Sequence, residues 1–67
     1  MSAPEIGAVV LAETDTRTAQ RVAVEVTAID AETDAGWSVW GYRQYRPGRR
    51  PRQTMYPRRY FVPRRSA

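Results

Sequence analysis

The 67-residue chain contains no cysteine, no histidine and no lysine. Without cysteine there are no disulfides and no thiolate nucleophiles, and without histidine the usual zinc sets and the commonest general base go as well. Without lysine every basic side chain is a guanidinium, which excludes Schiff-base chemistry and a phosphate-loop lysine. Ser2, Ser38 and Ser66 therefore have nothing to activate them, and the sequence reads as a non-enzyme that needs no cofactor and no metal. Long apolar runs are also missing. The longest spans residues 6–12 and includes Gly7 and Ala8, too short for a membrane helix. Residues 1–5 lack the basic region of a secretion signal, so the protein is expected in the cytoplasm. An anionic membrane is disfavoured as a partner because the basic half shows no amphipathic helix.

Charge is abundant and unevenly placed. Residues 1–34 hold all seven acids with Arg17 and Arg21, a balance of −5, whereas residues 35–67 hold nine arginines and no acid. The two halves give the net +4 of the whole. Such asymmetry points to a polyanionic partner, and arginine suits that role because its planar fork contacts phosphate or a guanine edge bidentately and stacks on bases.

At this length one domain is expected, burying about 60% of its unfolded surface, a thin margin that leaves a homodimer open. Two-residue alternation dominates the pattern. Val22, Val24 and Val26 share one face of a strand over residues 21–29, preceded by a shorter strand within residues 6–13. Residues 30–36, acidic and ending in Gly36, read as a hairpin turn into an aromatic strand over residues 37–46, with Gly41 marking a bulge. Beyond the turn at residues 47–51, a fourth strand is expected over 52–56, a tight turn at 57–59 and a short last strand over 60–62. The prolines at 47, 51, 57 and 63 exclude a continuous helix there. The fold class is all-β, a small SH3-like barrel or curved antiparallel meander of four to five short strands. The expected layout is a flexible terminus at 1–5, the barrel at 6–62 and a basic flexible tail at 63–67. Met55-Tyr56-Pro57-Arg58-Arg59-Tyr60-Phe61-Val62 resembles the end of an SH3-like barrel, where an aromatic-proline turn leads into the final strand. The resemblance implies a fold and carries over no binding residue.

The candidate site is the basic, aromatic half. Arg43, Arg46, Arg49, Arg50, Arg52, Arg58 and Arg59 are expected to contact phosphates, with Trp40, Tyr42 and Tyr45 supplying stacking or apolar contact. Trp37, Phe61 and Val62 are assigned to the core, and some arginines are expected to pair with Glu25, Asp30, Glu32 or Asp34. Binding should be phosphate-dominated with at most modest sequence preference, and duplex DNA is favoured over RNA because no RNA module is visible. The alternative is a protein-interaction module, or a small subunit of an assembly, docking an acidic protein surface. Asp30, Glu32 and Asp34 alternate as in a calcium loop, but the glycine falls one place late and Gly41 stands where the bidentate glutamate belongs.

Overall fold

The computed structural model describes residues 2–14, 17–44 and 56–64. They form four strands: β1 (Val9–Thr14), β2 (Arg21–Thr33), β3 (Gly36–Arg43) and β4 (Arg58–Pro63). Each pairs antiparallel with the next, and β4 returns to β1 through Glu13 with Phe61 and Thr14 with Tyr60, closing the sheet into a barrel. The all-β antiparallel meander expected from the alternation is the architecture found. Among the described residues no helix is long and apolar enough to cross a membrane.

Alternation decides what lies inside. On β2 the buried set is Val22, Val24 and Val26, on β3 Trp37 and Val39, on β4 Tyr60 and Val62, and β1 adds Ala12, all in one cluster. β-branched valines suit this interior because they pack on a pleated surface with little side-chain entropy to lose. One expected core residue is exchanged for its neighbour. Tyr60 is buried and Phe61 is half-buried on the outside, because Val39 pairs with Tyr60 and Trp37 with Val62. The expected tight turn at residues 57–59 is also corrected, since Arg58 and Arg59 belong to β4 opposite Gly41 and Trp40. Pro57 stands just before the strand, where its missing N–H costs no ladder bond. Of the separate strand expected over 52–56, residues 52–55 lie outside the described residues and Tyr56 is not in a strand.

The bulge expected at Gly41 lies on the neighbouring strand instead. Val26 pairs with Gly41 but Ala28 with Trp40, and Ile29 pairs with Val39 but Ala31 with Ser38, so Thr27 and Asp30 are each an extra residue on β2. Bulges add twist, which helps four strands to close. The Thr27 hydroxyl donates to the Trp40 carbonyl at 3.1 Å across the irregularity.

The turn expected over residues 30–36 shrinks to Asp34 and Ala35, because Thr33 already pairs with Gly36. Neither turn residue has positive φ; Gly36 takes it instead, at +151°. The Thr33 hydroxyl accepts from Ala35 N at 3.2 Å and so braces the turn. β4 runs to Pro63, and Arg64 N donates to Ala35 O at 2.8 Å, which carries the barrel two residues past its expected boundary at Val62.

Candidate nucleic-acid interface

In an up-and-down barrel, alternate connections meet at the same end. β1 finishes, β2 starts, β3 finishes and β4 starts at one end, so Arg21, Arg43 and Arg58 gather there at strand termini. Arg17 joins them from the β1–β2 connection. Arg17, Arg21 and Arg58 are exposed and make no ion pair with a described residue. Residues 45–55, which include Arg46, Arg49, Arg50 and Arg52, leave this same end after Gln44 and rejoin it at Tyr56. Gln44 N donates to Ala23 O at 2.8 Å, extending the ladder to the point of departure. Glu32 and Asp34 lie at the opposite end, around the β2–β3 turn, and Asp30 lies between the ends, level with Ser38 and Val39.

Of the expected site residues, Trp40 and Tyr42 stand on the outer face of β3, half-buried, since Gly41 between them points inward. Arg59 on β4 is the register partner of Trp40, and its guanidinium lies 5.0 Å from the ring centroid. Asp30 Oδ2 is 3.9 Å from Arg59 Nε. The pair is half-exposed on both sides, so it orients the guanidinium more than it stabilises the fold. Tyr42 faces Glu25 across the β2–β3 ladder. Arg43 and Arg58 complete the described members. Tyr45, Arg46, Arg49, Arg50 and Arg52 lie outside the described residues.

Among the described residues Arg59 pairs with Asp30 and Arg64 with Glu32, both acids of the N-terminal half. Arg64 also donates to Thr33 O at 3.0 Å and covers the Trp37 ring at 4.5 Å from its centroid. It belongs to the structure of the acidic end, away from the basic cluster. Among the described residues no group of three or more His, Cys, Asp or Glu could hold a metal ion.

Reading by sequence halves missed Arg17 and Arg21, which were assigned to the acidic half. The signal was present in the topology, because in a meander the first and third connections lie at one end. It also missed Glu13 and Phe61, whose outward orientation depends on the register of β1 with β4. No family model matches the chain, and no curated protein or solved structure matches it either.

Proposed function

We propose that the protein binds nucleic acid, without catalysis, by laying its basic barrel end on phosphates. The observation that carries this is the convergence of Arg17, Arg21, Arg43 and Arg58 at the end from which the four-arginine segment 45–55 departs. Of these, Arg17, Arg21 and Arg58 are exposed and make no ion pair with a described residue, and phosphates spaced along a backbone would meet them in series. Trp40, with Arg59 stacked on it, and Tyr42 add flat surface beside the cluster.

The test is fluorescence anisotropy with labelled duplex DNA, single-stranded DNA and structured RNA over a salt series. With five to seven phosphate contacts, log K against log salt should fall with a slope of about −4.5 to −6.3 on duplex and about −3.5 to −4.9 on single strands. Absence of binding to all three at low salt overturns the proposal.

A second reading, a protein-interaction module, is favoured by one observation. Ile6, Val9 and Leu11 are 62%, 50% and 64% exposed, and Val9 and Leu11 share the outer face of β1. An acidic protein that covered both this strip and the basic end would bind with weaker salt dependence than a nucleic acid, because apolar burial is not screened.

A further inference from the structure

The outer face around β4 carries a chemistry that phosphate binding does not use. Glu13 on β1, Phe61 on β4 and Ser38 on β3 form one row across three strands, each the register partner of the next. Arg59, two residues before Phe61 on the same face, lies in the adjoining row beside Trp40. Between these side chains is an open depression of about 250 Å³, bordered also by Thr14 and Tyr60.

Phe61, the one phenylalanine of the chain, is half-buried on the outside, its ring tip over Gly36, where a Cβ would lie 2.9 Å from Cζ. Beside it, the Glu13 carboxylate stands opposite Arg21 in the β1–β2 register but makes no hydrogen bond or ion pair with a described residue. Asp30 approaches Arg59 through Nε, a contact that leaves the terminal nitrogens of the fork for an anion. The seat thus offers a flat ring, an acceptor-only carboxylate and a cation within neighbouring positions of one sheet face. A nucleotide answers each: a base face for the ring, N–H donors on the base edge for the carboxylate, and a phosphate for the cation. Guanine fits the carboxylate best, because its N1–H and N2–H donors lie side by side and match two oxygens. Adenine and thymine each place an acceptor beside their donor on the same edge. In a duplex these donors are paired and both faces of the base are stacked, so only an unpaired base can enter.

We propose that this depression seats an unpaired guanine of a single-stranded nucleic acid, with Phe61 stacking on the base, Glu13 accepting from N1–H and N2–H, and Arg59 holding a flanking phosphate. The inference rests on the nucleic-acid reading above and replaces its preference for duplex DNA. Trp40 acts through Arg59, keeping the guanidinium flat against the sheet.

The test compares labelled dT12, the same strand with two central guanines, the same with two central adenines, and the guanine strand annealed to its complement. The guanine strand should bind the wild-type protein about tenfold more tightly than the other two single strands, in line with the discrimination of a well-made base contact. Glu13→Gln should remove most of that preference with the salt slope unchanged. Phe61→Leu, which keeps an apolar side chain without a flat face, should weaken every single strand by about tenfold and leave the duplex unaffected. Circular dichroism and the emission of the buried Trp37 establish that both variants are folded. Repeating the guanine and uracil strands as RNA identifies the sugar, and a guanine preference on either backbone supports the seat. Equal binding of all strands by the wild type, or a guanine preference that survives Glu13→Gln, overturns the seat while an intact salt slope leaves phosphate binding standing. Absence of binding to every strand and to the duplex overturns both.

Discussion

Gly36 and Gly41 both occupy places where no Cβ fits, for different reasons. At Gly36 the backbone is left-handed, with φ at +151°, and a Cβ would stand 2.1 Å from Val62 O. At Gly41 the backbone is ordinary, but a Cβ would lie 2.4 Å from Glu25 O and 2.6 Å from Val24 Cγ1. Gly41→Ala must therefore push β3 away from β2, and urea denaturation followed by Trp37 emission should show a loss of about 1–3 kcal/mol, the cost of overpacking. An unchanged midpoint would mean that the two strands are looser than their register implies. Arg64 supports the acidic end through Glu32, Thr33 O and the Trp37 ring. Arg64→Ala should cost about 1 kcal/mol, while leaving the salt slope of nucleic-acid binding as it was. The need for glycine at 36 was legible as the end of a turn. The role of Arg64 was not, because its side-chain partners lie some thirty positions earlier, and only the closure of the barrel brings them together.

The strands divide by how much of each could be read from its own residues. β3 kept its expected alternation, Trp37 and Val39 inside with Trp40 and Tyr42 outside, because a period of two is a local property of an extended chain. β2 could be read as far as Val26. Beyond it the buried alternation stops, with Ala28 and Ile29 both exposed, and Thr27 and Asp30 enter as extra residues. Apolar spacing of two runs on through Ala28, so nothing in β2 itself marked the bulge, and the glycine in the partner strand drew the assignment to itself. β4 was misjudged for the opposite reason. Two consecutive arginines after a proline look like a turn, yet the alternation of Arg59, Phe61 and Pro63 against Tyr60 and Val62 runs through them. Thr27→Val removes the hydroxyl that donates to Trp40 O, and thermal denaturation should register a loss of about 1 kcal/mol, the net worth of one such bond. The β1–β4 seam has two register pairs against five for β1–β2, which makes it the weakest join of the ring. Amides at that seam should exchange with deuterium before those of Val24, Val26 and Val39, and slower exchange there would contradict the register.

On the scale of the molecule, the split between acidic and basic halves of the chain became a split between the two ends of the barrel, with corrections. Arg17 and Arg21 lie at the basic end together with Glu13 and Glu25, and Arg64 lies at the acidic one. Composition alone pointed to a polyanion as the partner to consider, while topology brings Arg17, Arg21, Arg43 and Arg58 to one end. Arg17→Ala and Arg21→Ala should each flatten the salt slope by about 1 if they touch phosphate, and Arg49→Ala with Arg50→Ala should flatten it by up to about 2. An unchanged slope in the first pair would remove the β1–β2 connection from the interface. The distribution of charge along the axis has a further consequence: among the described residues Arg17, Arg21, Arg43 and Arg58 outnumber Glu13 and Glu25 at one end, while Glu32 and Asp34 outnumber Arg64 at the other, which gives the molecule an electric dipole moment. A polyanion's field exerts a torque on that moment and turns the basic end forward before contact, so encounters should be oriented as well as accelerated. The same moment acts between copies. At 0.01 M salt the screening length of about 30 Å is comparable to the molecule's longest extent of 32 Å, and head-to-tail chains should form. Light scattering should then show a rising apparent mass on dilution of the salt at constant protein concentration, reversed by adding either salt or a short oligonucleotide that caps the positive pole.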